Sequence, residues 1–425
     1  MARLLYTLTH YLLLPVLLLR IVIRERQSPG YGKRWWERLG WSPRIPGDEA
    51  PIWLHAVSVG ETIAAKPLVD ALRARYPQVP ILVTGMTATG AERVTTLLGD
   101  KVVHSFAPYD TPDIVSRFLM RVKPRALLIM ETELWPNWVA GCRRRDIPVL
   151  LLNGRMSEKS AKGYARVRAL SRPLFSSLSW VAAQTDPDAR RFADLGVRRE
   201  ALSVSGSIKF DAPLPPQIQE NAKAWRTEYC PGRLIWVAGS SHEGEEALLL
   251  AVHQQLLAVF PDLLLILVPR HPERFSPVAE LVKASGLSFV RRSGGDVTLA
   301  GVQVLVGDTM GELLFFYAVG DIAFVGGSLI PRGGHNPLEP AALGKPVLMG
   351  RHVFNFQVIC DELAAEEALV LVDSEQVHAC VLGWLSQPEE RLRRGEQGRR
   401  CMERNRGALQ RLLVGIDQRL GLSRR

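Results

Sequence analysis

Cysteine is scarce in this chain: five residues in 425 (Cys142, Cys230, Cys360, Cys380 and Cys401), with no CxxC pair and no regular spacing. That excludes a disulfide framework and a thiolate zinc site, and suits buried thiols in a reducing compartment. No GxGxxG follows the first apolar run of either half, which argues against a dinucleotide dehydrogenase. A P-loop GxxxxGK is also missing, as are HExxH and any carboxylate pair at metal-ligand spacing, so neither a metal nor a cofactor is expected. Acids are the minority charge, 43 Asp and Glu against 53 Lys and Arg, a formal net of +10. The apolar N-terminus is not followed by a small-x-small cleavage site, which argues against a removed signal peptide.

What is present describes a folded chain of more than one core. Apolar residues make up 47% and charged residues 23%, and 425 residues exceed one typical domain. The excess charge is unevenly placed: residues 20–44 hold seven basic side chains against two acids, a net of +5, beside Trp35, Trp36 and Trp41. Immediately before them runs LLYTLTHYLLLPVLLL (4–19), sixteen residues without a charge. As a helix it reaches about 24 Å, and a snorkelling Arg20 followed by Ile21–Ile23 brings it close to the ~30 Å hydrocarbon thickness. The stretch therefore reads as a membrane anchor over residues 1–26, with the basic flank facing anionic lipid headgroups on the cytosolic side. Nucleic acid is not the expected partner.

Beyond the anchor, short apolar runs alternate with segments of helical periodicity. Seven runs fall at 52–57, 81–85, 102–106, 126–130, 149–153, 180–184 and 202–206. A proline-rich DAPLPPQIQ (211–219) interrupts them, and seven more follow at 234–239, 263–269, 287–292, 302–307, 322–327, 346–350 and 368–372. Near-continuous apolar strands separated by helices predict parallel sheets covered on both faces. The expectation is α/β: two Rossmann-like doubly wound domains, 27–210 and 229–425, joined by a linker at 211–228 and facing a cleft. Ligands belong at the carboxyl ends of such strands.

Several chemistry-bearing stretches fall at those ends. WLHAVSVGETIAAKPLV (53–69) reads as a strand running into a helix, with Glu61 at the junction behind Gly60. GSSHEGEE (239–246) ends a strand with small residues whose free amides would attract an anion. VPRHPERF (268–275) puts Arg270 and His271 at a strand end, and Gly333–Gly334 precedes NPLEPAALG, which predicts a helix beginning near Asn336 with Glu339 in its first turn. Together they suggest a nucleotide-phosphate site, with Glu339 able to accept hydrogen bonds from a ribose. Each piece also has a plainer reading. Glu61 and Glu339 could be acids favoured at helix N-termini, Glu131 a structural acid paired to Arg155, and His55 a satisfied structural histidine.

The same residues carry a resemblance. HAVSVGE (55–61), TGMTATG (84–90), METELWPN (130–137), NGRMSEKS (153–160), GSIKFD (206–211), GSSHEGEE, VPRHPERF, GDTMGEL (307–313) and GGHNPLEPAALGKPV (333–347) occur in one order from the anchor almost to the C-terminus. The chain thereby resembles the 3-deoxy-D-manno-octulosonic acid (Kdo) transferases of Gram-negative bacteria. The resemblance implies a GT-B glycosyltransferase of the inverting type, moving Kdo from CMP-Kdo to a lipid A precursor (lipid IVA) in lipopolysaccharide synthesis. It places this at the cytoplasmic face of the inner membrane, without a metal. It makes Glu61 the proton acceptor and assigns transition-state support to Glu131 and Lys209. It sets CMP against Pro269 and Arg270, against Met310, Gly311 and Glu312, and against Asn336, Pro337, Leu338 and Glu339. Two alternatives are a GT-B type nucleotide-sugar epimerase, which needs neither anchor nor acceptor base, and a non-catalytic membrane-tethered nucleotide-binding protein.

Overall fold

A computed structural model describes residues 1–27, 32, 34–211, 214–295 and 298–421. Lys33 of the basic flank, and residues 212 and 213 of the expected linker, lie outside the described residues. The chain forms two compact units, Met1–Ala212 with Arg406–Arg425, and Pro213–Asn405.

The first unit is built on β1 (Ile52–His55), β2 (Ile81–Gly85), β3 (Val103–Phe106), β4 (Ala126–Met130), β5 (Val149–Gly154), β6 (Trp180–Ala183) and β7 (Leu202–Val204). They form one sheet in the order β3-β2-β1-β4-β5-β6-β7 with every pair parallel. Alternate side chains leave opposite faces of a strand, and both faces here are dry, which is why the runs are apolar without a break. Ile52 and Leu54 pack with Leu68, Val69 and Leu72 of the helix Val59–Arg75. Trp53, between them in sequence, packs on the other face with Phe118 and Trp138.

The second unit repeats the plan. Its strands are β8 (Ile235–Ser241), β9 (Leu264–Pro269), β10 (Phe289–Arg291), β11 (Val304–Val306), β12 (Ile322–Val325), β13 (Val347–Gly350) and β14 (Leu369–Val372). They are parallel in the order β10-β11-β9-β8-β12-β13-β14. Each sheet reverses its winding at its first strand, between β1 and β4 in one and between β8 and β12 in the other. The fourteen strands fall on the fourteen apolar runs.

Two segments show what local pattern does not reveal. Within the stretch expected as linker, the helix Ile218–Tyr229 begins directly after the prolines and packs Trp225 against Phe315 in the second unit. The last helix, Ala408–Leu420, belongs to the first unit rather than the second, with which its place in the sequence groups it. Leu412, Leu413 and Ile416 join the core of the first sheet beside Trp180. The carboxylate of Asp211 receives the amides of Gly407 and Leu409 at that helix's start.

The N-terminal helix Ala2–Gln27 is long and apolar enough to cross a membrane by length and composition. It is not bare on all sides. Tyr6 donates to Asp110 at 2.9 Å, Thr7 and Asn137 exchange hydrogen bonds, and Tyr11 donates to Asp113 at 2.5 Å. Leu4, Leu5, Leu8, Leu12, Val16 and Leu19 are exposed at helical spacing.

A Cβ at Gly415 would lie 2.1 Å from the Trp180 ring. Gly415→Ala is therefore expected to cost about 1–3 kcal/mol through overpacking, outweighing the roughly 1 kcal/mol that Ala gains over Gly inside a helix. A urea midpoint left unchanged would count against this packing of the last helix.

Candidate functional site

In the first unit, β1 delivers the chain to Ser58, whose hydroxyl caps the helix Val59–Arg75 by accepting from the Glu61 amide at 3.1 Å. The cap turns the Glu61 side chain back over the strand end. Its carboxylate accepts from the Val57 amide at 2.8 Å and from the Ser58 hydroxyl at 3.1 Å. The helix-capping reading of Glu61 is thus correct as structure. It does not exhaust the residue, because Glu61 is only 9% exposed and makes no ion pair among the described residues. Burial lifts its pKa to about 7, and the nearby charges of Glu131 and Glu133 push the same way.

Glu131 stands at the end of β4, the neighbour of β1 across the reversal of winding. It holds a left-handed backbone, φ 58°, which a β-carbon disfavours. Its carboxylate pairs with Lys209 at 3.4 Å, so the partner is this lysine and not Arg155. The Lys209 turn is fixed from β5: Asn153 Oδ1 accepts from the Ile208 amide at 3.1 Å. The structure thus brings Glu61, Glu131 and Lys209 to one sheet end. His55 is different. It is fully buried, its Nδ1 meets Thr84 Oγ1 at 2.9 Å, and burial drops its pKa to about 3, so it is a neutral structural ring.

In the second unit, Pro269 closes β9 and the Arg270 amide donates to Ser241 O at 3.0 Å, tying the ends of β9 and β8 together. Arg270 faces both His335 and Glu339 electrostatically. Burial raises the Glu339 carboxyl above its usual range, while Asn336 and Arg270 pull it down. The helix expected near Asn336 is a single short turn, Leu338–Ala342. Asn336 lies just before it, accepting from the Leu338 amide at 3.1 Å and donating to Glu339 at 3.2 Å. Pro337 and Leu338 are buried beneath. After β11, Met310 is exposed, Gly311 is left-handed at φ 86°, and Glu312 is bound to Arg292 at 2.9 Å, which holds its carboxyl below the usual range.

The GSSHEGEE stretch departs from expectation. Its own acid takes up the His242 amide, and the same buried Glu245 side chain reaches into the loop after β12. That carboxylate accepts from His242 N (3.0 Å), Gly327 N (2.7 Å), Ser328 N (3.0 Å) and Leu329 N (3.0 Å). One side chain therefore fixes the ends of both central strands. Sequence reasoning passed over it because Glu243, Glu245 and Glu246 look alike on paper; the preceding Gly244 was the available signal. Among the described residues no cluster of His, Cys, Asp and Glu could hold a metal ion.

Comparison with known proteins agrees with this architecture. Residues 33–212 match the family model described as 3-deoxy-D-manno-octulosonic-acid transferase (kdotransferase). A 3-deoxy-D-manno-octulosonic acid transferase of Haemophilus influenzae is 42% identical over 97% of both chains. The chain belongs to the Kdo transferase family. A second member, from Bordetella pertussis, is 37% identical over 99% of this chain and 100% of its own. This Kdo transferase is accordingly a glycosyltransferase. A UDP-GlcNAc 2-epimerase structure from Neisseria meningitidis covers 87% of this chain and 100% of its own at a TM-score of 0.57. At 14% identity that likeness concerns the GT-B-like fold alone.

Glu245→Ala would leave two buried amides, Gly327 and Ser328, and two partly buried ones, His242 and Leu329, without this acceptor, at about 1–3 kcal/mol for each group that finds no water. The expected result is a loss of about 3 kcal/mol or more in urea unfolding, with lost hydrogen-exchange protection at Gly327, Ser328 and Leu329. Retained protection there would contradict the role.

Proposed function

We propose that the chain transfers Kdo from CMP-Kdo to a lipid A precursor, as one step in the assembly of lipopolysaccharide. The bond from the anomeric carbon of Kdo to the phosphate oxygen breaks, and its electron pair leaves with cytidine monophosphate. A sugar hydroxyl of the acceptor bonds to that carbon, and its proton passes to the carboxylate of Glu61.

The observation that carries this reading is the placement of Glu61. It stands at the reversal of winding, where open parallel sheets take their ligands, and its pKa of about 7 suits a base at neutral pH. Glu131 and Lys209, paired beside it, supply one charge of each sign to steady the oxocarbenium-like transition state and orient the acceptor. The second unit supplies the donor site. Arg270 meets the phosphate, Glu339 and Asn336 meet the ribose, Pro269, Pro337 and Leu338 shape the wall, and the Met310–Gly311–Glu312 turn receives the base.

The acceptor is a lipid, and the N-terminal helix suits it. Hydrogen bonds from Tyr6, Thr7 and Tyr11 hold one face of the helix to the first unit, while its leucines face outward. That favours a helix lying in the surface of the inner membrane, on the cytoplasmic side, over one crossing it. Exposed Trp35, Trp36 and Trp41, with exposed Arg20 and Arg44, meet headgroups, each of these two arginines contributing about 1 kcal/mol near anionic lipid. Arg38, between the tryptophans, is buried and donates to Met86 O at 3.0 Å, so it takes no part.

Purified protein given CMP-Kdo and a tetra-acylated lipid A precursor should yield a Kdo-bearing product by mass spectrometry; an unchanged precursor would refute the reading. Glu61→Gln is expected to lower kcat/KM by about 10²–10⁴-fold with CMP affinity nearly unchanged. In the unsubstituted enzyme kcat/KM should fall below pH about 7, as the Glu61 carboxylate takes up a proton. A flat profile from pH 5.5 to 8 would remove Glu61 as the base. Arg270→Ala should weaken CMP binding by about tenfold or more, the worth of a charged hydrogen bond.

A further inference from the structure

Three histidines of the second unit gather at its strand ends, and the roles assigned above use none of them. His242 follows β8, His271 follows β9, and His335 lies on the loop after β12. The Nε2 atoms of His242 and His335 are 2.8 Å apart, with the rings parallel at a centroid distance of 5.1 Å. His271 stands edge-on to His242 at 5.4 Å. Two imidazole nitrogens at hydrogen-bond distance need one donor and one acceptor, so the neutral pair shares a single proton. The loop backbone presses directly on the rings: at Gly327, φ 67°, a Cβ would lie 3.0 Å from His335.

The surroundings are cationic. Arg270, Arg274, Arg332 and His271 all act on His242, and Arg270 and His271 also act on His335. The acids facing the cluster are already engaged. Glu245 takes backbone amides, Glu243 and Glu246 pair with Arg274, and Glu339 is bound to Asn336. Burial first, and then these cations, hold both rings below the ordinary histidine range, His335 at about 4. At neutral pH the pair therefore stays uncharged beside the guanidinium groups of Arg270 and Arg332.

We infer that the His242–His335 pair is a receptor for the phosphate of the donor nucleotide, and that it takes one proton from solvent when the phosphate enters. The inference rests on the reading of this unit as the nucleotide site. The negative charge of the entering phosphodiester opposes the field that keeps the pair neutral. One imidazole becomes imidazolium, and its N–H donates to a phosphate oxygen instead of to the neighbouring ring. When the sugar departs and the phosphodiester becomes a monoester, the extra negative charge develops against this imidazolium and Arg270. The pair is thus a binding element of the leaving group, and the cost of burying a permanent charge there is avoided while the site is empty.

The test is titration calorimetry of the full-length protein with CMP, in buffers of different ionisation enthalpy at pH 7.5, with cytidine as the arm lacking phosphate. Uptake of about one proton per CMP and none per cytidine is expected, with CMP affinity falling up to tenfold per pH unit above the pKa of the loaded pair. His242→Gln and His335→Gln should each abolish the uptake and weaken CMP about tenfold. CMP bound without proton uptake overturns the inference and leaves the nucleotide site standing. Failure of the unsubstituted protein to bind CMP overturns both. Uptake that persists in both variants overturns the assignment to this pair.

Discussion

Short parallel strands covered on both faces can offer polar side chains to a ligand only at their ends. Every chemical feature of this chain obeys that constraint. Ile52–Leu54 and Leu127–Ile129 are wholly buried, and the first polar groups free to act come after them, at Ser58, Glu61 and Glu131. In the second unit Pro269 closes a buried strand, and Arg270 and His271 follow at once. Because the winding reverses at β1 and again at β8, the turns after those strands part from the turns after β4 and β12. A reacting molecule needs such a recess, and the residues around it inherit their geometry from strand pairing.

The carboxylates show how one residue type is given different work by its setting. Glu61 is buried against the Val57 amide and the Ser58 hydroxyl and makes no ion pair among the described residues, which leaves it ready to exchange a proton near neutrality. Glu131 faces Lys209 and is committed to an ion pair, on a strained backbone that the strand end imposes. Glu245 is enclosed by four amides and serves as a structural staple. Nothing in their side chains distinguishes them; burial and partners do.

Local pattern carried much of this. Fourteen apolar runs became fourteen strands because a strand buried on both faces must be apolar throughout, and the acid at residue 61 was visible as a charge where a strand gives way to a helix. What escaped was long in sequence. His242 and His335 touch across 93 positions, Glu131 meets a lysine 78 residues on, and Asp211 caps a helix that starts almost two hundred residues later. The expected helix at Asn336 shrank to one turn for a local reason: the backbone turns left-handed at Gly344, φ 70°, and the amides of Gly344 and Lys345 close back on Ala341 and Pro340.

The return of the last helix to the first sheet makes the second unit a nested insert: the backbone leaves one body after residue 212 and rejoins it at 406. Evolution or an engineer could exchange or excise that insert as a contiguous cassette. The enclosing body has no such freedom, since a gene fragment ending at its last strand would leave the Trp180 face bare to water. Its completion waits on the helix Ala408–Leu420, so during synthesis the first unit is finished only after the whole of the second has been made.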